Sequence, residues 1–319
     1  MKRAFVTGAY GMLGAWMVKG LLDDGVDVVV LKRDRRARAA LTIEGTESRC
    51  HVVHGDLLDA PLLERVVNEE EVDTVFHLAA QTIVGAANRS PASTFDANMR
   101  GTWNLMEACR DSSVKRVVVA ASDKAYGPHK DLPYQEDYAL QPKFPYDVSK
   151  AATDLISRSY WHTFGLPVAT TRFANIYGGG DLNPSRLIPE LVDAVLDGRP
   201  PIIRSDGSPE RDFLYVTDAV SAYLAIAKLL DDPKGGARGE GFNAGSGRPY
   251  SVREVVETLV RVAGSDVRPE FQGAGVPDGE IDRQWVDTAK IKRLAGWEPQ
   301  VDLEEGLRRT LEWYREHRG

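Results

Sequence analysis

At 319 residues, with 43% hydrophobic and 27% charged side chains, the chain has the composition of a globular protein long enough for two domains, neither disordered nor fibrous. Its 47 acidic and 40 basic residues leave a net charge of -7, which argues against a general polyanion binder, so an anionic ligand needs a local site. Two cysteines, Cys50 and Cys109, are too few for a disulfide framework or a Cys-rich zinc site and favour a cytoplasmic location.

Lys2 and Arg3 precede an apolar stretch to Val18, but Gly8, Gly11 and Gly14 interrupt it, so a strand and a turn are expected there rather than a signal peptide. No run approaches the roughly 18 apolar residues of a membrane span. Short apolar runs at Ala4–Val6, Val26–Leu31, His51–His54, Thr74–Leu78, Arg116–Ala120 and Pro167–Thr171 read as strands. Helical faces stand between them at Leu13, Trp16, Met17 and Leu21, at Leu105, Met106 and Cys109, and at Ala152, Leu155, Ile156, Ser159 and Tyr160. Strands too apolar for a one-sided sheet, alternating with helices, predict an α/β fold: a Rossmann-type, doubly wound parallel sheet. The rhythm breaks after about Ile176, at Gly178-Gly179-Gly180, and a strand-like piece at Gly241–Ala244 and a helix at Val252–Val262 follow before a tail of turn and helix from Asp282 to Glu316. The expected division is interleaved: residues 1–176 with about 237–265 form a dinucleotide-binding domain, and about 177–236 with 266–319 a smaller C-terminal substrate domain.

Gly8, Gly11 and Gly14 form G-x-x-G-x-x-G between the first strand and the first helix. Glycines there let the backbone turn tightly and approach a pyrophosphate, and the helix N-terminus favours the anion. An acidic residue about 20 positions further on usually binds the adenosine ribose. The second strand instead ends Leu31-Lys32-Arg33-Asp34. Lys32 or Arg33 would hold a 2′-phosphate and favour NADP, Asp34 would reach the ribose and favour NAD, or the cations are simply a solvated cluster at a strand end. Asp56 and Leu57 follow the third strand, and Leu78, Ala79 and Ala80 end the fourth with small residues suited to close approach of a cofactor.

Tyr146 and Lys150 stand four positions apart, on one face of a helix. A neighbouring ammonium stabilises a phenolate, so Tyr146 is suited to take a proton from a substrate hydroxyl while hydride leaves the carbon. Ser122, Asp123 and Lys124 follow the fifth strand, where side chains in open α/β sheets point toward ligands. No zinc motif, phosphate loop of the G-x-x-x-x-G-K type or nucleophile elbow is present, and the six histidines form no metal set.

These features, with Asn98 and Gly101-Thr102, Arg172 to Gly178 and Arg211-Asp212-Phe213, make nearly the whole chain similar to the extended short-chain dehydrogenase/reductase family of nucleotide-sugar epimerases and dehydratases. The resemblance implies that Ser122 bonds the reacting sugar hydroxyl, Tyr146 is the base for the C4 hydroxyl and Lys150 binds the nicotinamide ribose. It further implies a cofactor, NAD with NADP as the alternative, bound by Gly8, Tyr10, Gly11, Met12, Leu13, Gly14, Lys32, Arg33, Asp56, Leu57, Leu78, Ala79, Ala80, Gln81, Asn98 and Phe173 as well as by Tyr146 and Lys150. Asn98 would otherwise only cap or brace a helix. Gln81, Ser122, Asn175, Arg186, Leu187, Arg204, Arg211 and Arg283 are the residues it sets against a nucleotide sugar; the arginines suit a diphosphate, with surface ion pairing as the ordinary alternative for Arg186 and Arg211.

Within the family, Ser122-Asp123-Lys124 looks like the CDP-glucose 4,6-dehydratase branch, which uses lysine where many sugar dehydratases have glutamate. Asp123 would then protonate a departing C6 hydroxyl and Lys124, its pKa lowered by burial, would act at C5. If Asp123 and Lys124 were only an ion pair, 4-epimerisation would be the natural function; a non-catalytic dinucleotide sensor is the remote alternative, disfavoured by the presence of Ser122, Tyr146 and Lys150. By resemblance, the helices around Asn98–Arg110 and Tyr146–Phe164 form a homodimer as a four-helix bundle. No nucleic-acid or membrane partner and no metal is expected.

Overall fold

The computed structural model describes residues 1–34, 38–273, 275 and 281–318. Strands β1 (Arg3–Thr7), β2 (Asp27–Lys32), β3 (His51–His54), β4 (Thr74–His77), β5 (Arg116–Ala120) and β6 (Val168–Phe173) alternate with helices α1 (Met12–Asp23), α2 (Ala40–Ile43), α3 (Ala60–Glu69), α4 (Val84–Arg89), α5 (Pro91–Phe95), α6 (Gly101–Arg110) and α7 (Pro145–Phe164). Next come β7 (Asn175–Tyr177), α8 (Leu187–Leu196), β8 (Ile202–Ile203), β9 (Glu210–Arg211), β10 (Phe213–Tyr215) and α9 (Val216–Leu229). The described chain closes with β11 (Gly241–Ala244), β12 (Tyr250–Ser251), α10 (Val252–Ala263), β13 (Glu270–Phe271), β14 (Arg283–Gln284), α11 (Ala289–Ala295) and α12 (Leu303–His317).

The main sheet has seven strands in the order β11-β6-β5-β4-β1-β2-β3, all paired in parallel, which is the doubly wound Rossmann arrangement expected from the alternation. Its valine-rich strands are apolar on both faces because both are covered. Ala4, Val6, Val28, Val30 and Val118 point into one core, which α1 and α9 cover. Their neighbours Phe5, Val29, Leu31, Val117 and Val119 point into the other, covered by α3 and α6. Strand order reverses between β1 and β4, so a crevice opens beyond their carboxyl ends, where ligands of such sheets bind.

The chain re-enters this sheet at β11, where Phe242 stands beside Thr171 of β6. The helices of the second half divide differently from the expectation. Helix α9, expected in the substrate part, packs on α1 and on β5 and β6, because its small residues Ala219, Ala222 and Ala227 let it lie close to the sheet. Helix α10, expected in the dinucleotide part, packs on α8 and α12; its narrow stripe of Val255, Val256 and Leu259 suits a smaller layer. A three-stranded sheet, β12-β9-β14, carries Arg211 and Gln284 side by side. Among the described residues no helix is long and apolar enough to cross a membrane.

Two glycines of α1 separate a required absence of side chain from an incidental one. A Cβ on Gly14 would lie 2.1 Å from the Gly8 carbonyl oxygen, whereas one on Gly20 would meet only the Val220 side chain, at 3.4 Å. Gly14→Ala is therefore expected to destabilise the protein by about 2 kcal/mol or more. Gly20→Ala should stabilise it by about 0.5–1 kcal/mol through helix propensity. Urea unfolding of both variants checks this; equal, small effects at the two positions would contradict it.

Candidate active site

The crevice is lined first by the turn between β1 and α1. Gly8 has φ +79°, and a Cβ there would come within 2.6 Å of the Ala79 amide nitrogen, so this turn lies directly against the end of β4. Gly11 precedes α1 with no side chain capping it, which leaves first-turn N–H groups of Met12 and Leu13 toward an anion. The Thr7 hydroxyl and Thr102 hydroxyl hold the two ring nitrogens of buried His77 at 2.8 and 3.1 Å, and burial pushes that imidazole down to about 3, so it is neutral. His77 thereby fixes the level from which Leu78, Ala79 and Ala80 leave the sheet.

At the end of β2, Lys32 is already engaged. Its Nζ lies 2.5 Å from Glu47 Oε1, the oxygen that also accepts from the Tyr10 hydroxyl at 2.6 Å. Arg33 is exposed and turned to Asp34 at 2.7 Å, with Asp56 at 3.9 Å. Both cations are therefore paired with carboxylates in this structure. Leu57 is buried against Gly101 and offers its carbonyl to Asn104 at 3.0 Å.

Tyr146 and Lys150 sit one turn apart on α7, 8% and 3% exposed. Lys150 Nζ donates to the Ala120 carbonyl at the end of β5, at 2.7 Å, and burial lowers its pKa to about 8. Burial pushes the pKa of the Tyr146 phenol up to about 12, against the opposing pull of Arg186 and Ser122. The Ser122 hydroxyl also lies 3.2 Å from Asp123 Oδ1 and accepts from the Lys124 N–H at 3.2 Å, closing a single helical turn, Asp123–Tyr126. Asp123 is 3% exposed; burial raises its pKa to about 6, opposed by Lys124 and Ser122. Lys124 is half-buried, not enclosed as expected, and its Nζ is 3.5 Å from Gln284 Oε1. Asp123 and Lys124 do not form the simple ion pair considered as an alternative: neither Asp123 oxygen is paired with the amine, and Oδ2 has no hydrogen-bond partner.

A buried ion pair holds these pieces together. Asp154 of α7 takes both Nε and Nη2 of Arg172 on β6 at 2.9 Å, and the Thr170 hydroxyl at 2.6 Å. Arg172 Nη1 reaches on to the Tyr126 hydroxyl at 3.1 Å and the Glu136 carbonyl at 2.9 Å. The helix bearing Tyr146 and Lys150 is thus bonded to the turn bearing Ser122, Asp123 and Lys124.

Other expected residues fall into distinct groups. Asn98 is a brace: its amide hydrogens go to the Gln81 carbonyl at 3.0 Å and Ser149 Oγ at 2.9 Å, and its oxygen accepts the Gln81 N–H at 2.7 Å. The Gln81 side chain is turned onto its own loop, to the backbone of Ile83 and to Thr94, rather than outward to a ligand. Phe173 is buried edge-on against Tyr223, with centroids 4.9 Å apart. Arg186, which immediately precedes Leu187 at the start of α8, bonds Asp181 at 3.0 Å and Thr82 at 2.8 Å. Asn175 donates to the Asp212 carbonyl at 3.1 Å, and Arg211 to the Glu210 and Asp282 carbonyls at 2.9 and 3.0 Å. Arg283 lies in register with Glu210 and is ion-paired to it at 2.6 Å, while Arg204 is exposed beyond β8.

Sequence reasoning missed Glu47, Asp154, Asp212 and Gln284 as members of this region. Asp212 and Gln284 are fully buried, and among the described residues the buried side-chain polar atoms without partners are Asp212 Oδ2, Gln284 Nε2 and Asp123 Oδ2. No sequence signal marks Gln284 as a neighbour of Lys124 and Arg211; only the pairing of β14 with β9 brings it there.

The model of the NAD dependent epimerase/dehydratase family matches residues 4–245. A human dTDP-D-glucose 4,6-dehydratase is 30% identical over 326 residues, covering 99% of this chain and 91% of that protein. The fold matches a UDP-glucose 4-epimerase from Thermotoga maritima, solved with UDP-glucose, at TM-score 0.89 and 29% identity over 99% of this chain and 100% of that one. It also matches a double mutant of DesIV, a dTDP-glucose 4,6-dehydratase from Streptomyces venezuelae solved with NAD, at TM-score 0.87 and 33% identity over 99% and 98% of the two chains. With glycine turn, Ser122, Tyr146 and Lys150 gathered in one crevice, the chain belongs to the NAD-dependent epimerase/dehydratase family of extended short-chain dehydrogenases/reductases.

Proposed function

We propose that this enzyme is an NAD-dependent nucleotide-sugar 4,6-dehydratase, converting a nucleoside diphosphate glucose to its 4-keto-6-deoxy product. The observation that carries the reading is Asp123: a carboxyl almost wholly buried, with Oδ2 unpartnered, on the turn that Ser122 caps. Buried polar atoms are nearly always satisfied, so an orphaned carboxyl oxygen in a crevice suits a group that meets its partner in the substrate. The tight turn of Gly8 and Gly14, where a Cβ would strike the backbone of Ala79 or of Gly8, and the uncapped start of α1 suit the diphosphate of a dinucleotide. NAD held there by the glycine turn and Lys150 would supply a hydride acceptor for oxidation at C4 and a hydride donor for the later reduction at C6, with a solvent-derived proton added at C5.

The residues divide the proton work. Ser122 holds the C4 hydroxyl and Tyr146 takes its proton, with the Lys150 ammonium assisting the phenolate and orienting the cofactor ribose. The C4 ketone acidifies the C5 hydrogen, and Lys124, acting as a neutral amine, is the base we assign to its removal as a proton. Asp123, its pKa raised to about 6, keeps more of its proton near neutrality than an exposed carboxyl and gives it to the departing C6 hydroxyl, which leaves as water. Arg186 and Arg211 are the cations we assign to the substrate diphosphate. The similarity to a UDP-glucose 4-epimerase supports a second reading, in which Ser122 and Tyr146 oxidise C4 and hydride returns to the opposite face of a turned sugar.

Two free cysteines, one half-buried and one buried, support a cytoplasmic setting. Trp103 on α6 and Leu155 and Phe164 on α7 are 41%, 56% and 53% exposed, and support a homodimer built from these two helices of each copy. Sedimentation at micromolar concentration should give dimers and Leu155→Glu should shift them toward monomers; a wild type that is wholly monomeric rules the dimer out.

Incubation of the pure enzyme with dTDP-, CDP- and UDP-glucose in deuterated water, followed by NMR, separates the two chemistries. A 4-keto-6-deoxy product carrying deuterium at C5 is expected. Inversion at C4 without deuterium at C5 would replace the dehydratase reading by the epimerase.

A further inference from the structure

The glycine turn and β2 together form the part of a dinucleotide fold that meets the adenosine ribose, and an acidic side chain near the end of β2 ordinarily bonds its 2′-hydroxyl. Here that strand ends in Lys32. A carboxylate nevertheless stands at the same place, brought from another segment. Glu47 lies on the single turn Thr46–Arg49 that precedes β3. Its Oε1 takes Lys32 Nζ at 2.5 Å and the Tyr10 hydroxyl at 2.6 Å, and Oε2 accepts Thr42 Oγ1 at 3.3 Å. Lys32 Nζ also sits 4.9 Å from the centroid of the Tyr10 ring. The two charged side chains are only 19% and 22% exposed.

We infer that Glu47 replaces the missing β2 acid and makes this subsite selective for NAD over NADP. The inference rests on the reading of the glycine turn as a dinucleotide site. A ribose 2′-hydroxyl finds in Glu47 an acceptor whose second oxygen has only one long bond, to Thr42. A 2′-phosphate instead adds about two negative charges beside an existing carboxylate, and reaches Lys32 only by displacing Glu47 from a partly buried ion pair. Arg33 offers no uncompensated charge either, since Asp34 lies 2.7 Å from its guanidinium. Tyr10 joins the device to the glycine turn itself, so the carboxylate is held against the cofactor-facing backbone and not left to swing in solvent.

Equilibrium titrations of the purified enzyme with NAD and with NADP, followed calorimetrically without sugar substrate, test this independently of turnover. The wild type should prefer NAD. Glu47→Gln keeps the shape and removes the charge, and should lower the NAD-over-NADP preference by about tenfold or more, the scale of one charge-assisted hydrogen bond. Adding Lys32→Ala to Glu47→Gln should abolish the gain in NADP binding, because the released ammonium is what holds the phosphate. A preference changed by less than about twofold in Glu47→Gln, in a protein that binds NAD normally as wild type, would overturn the assignment of Glu47 alone. A wild type that binds NADP as tightly as NAD would overturn it as well, and one that binds neither would overturn the dinucleotide reading together with it.

Discussion

The buried pair of Asp154 and Arg172 is the constraint on which the site depends. Arg172 is 1% exposed and Asp154 fully buried, and the carboxylate is held below its usual pKa by the guanidinium despite the opposing effect of burial. Taking both charges out of water costs several kcal/mol, which a two-bonded fork and the added bonds from Thr170 and Tyr126 offset. Such a pair contributes little net stability compared with apolar packing, but loss of one partner leaves a bare buried charge and costs about 3–5 kcal/mol. Its contribution is geometric. It locks α7 to β6 and, through Tyr126, locks the Ser122 turn to both, so that the phenol, the ammonium and the second carboxyl keep one arrangement.

Around that clamp the site separates tasks by environment. Buried Lys150, Tyr146 and Asp123 have pKa values moved by desolvation toward their neutral forms, while Arg186, Arg211 and Arg283 lie nearer the surface in hydrogen bonds and ion pairs that a polyanionic substrate would rearrange. On the proposed function a net charge of -7 is compatible with two diphosphates, since one would be met by backbone amides and the other by a few local guanidinium groups.

Much of this was legible in the sequence because it is local. The glycine spacing, the four-residue spacing of Tyr146 and Lys150, the alternating apolar faces and the returning strand at Gly241–Ala244 all lie within short windows. Strand β6 was read two residues short because Arg172 looks like an exit to solvent, whereas its charge is satisfied inside by a helix residue. Glu47 was invisible for a similar reason: it stands 15 positions beyond Lys32, in a segment without periodicity, and gains meaning only when the chain folds back beside β2. Gln284 is 160 positions from Lys124 and arrives through a two-residue strand that no hydrophobic pattern announces. For Asn98 the bracing alternative is the one its bonds fit, since its amide is held to the Gln81 backbone, whereas Gln81, which the resemblance set against cofactor and substrate, turns its side chain onto its own loop.

On the proposed mechanism one clamped crevice holds two separable proton-transfer sets, Tyr146 with Ser122 and Lys150 for the oxidation, and Asp123 with Lys124 for the elimination. Single-turnover absorbance of the reduced cofactor, recorded for Tyr146→Phe and Lys124→Ala with the nucleotide sugar that the wild type converts, tests it most directly. No reduced cofactor is expected in Tyr146→Phe, and in Lys124→Ala a normal rise followed by a stalled decay. Full dehydratase turnover by Lys124→Ala, or loss of the initial rise in that variant, would contradict the division.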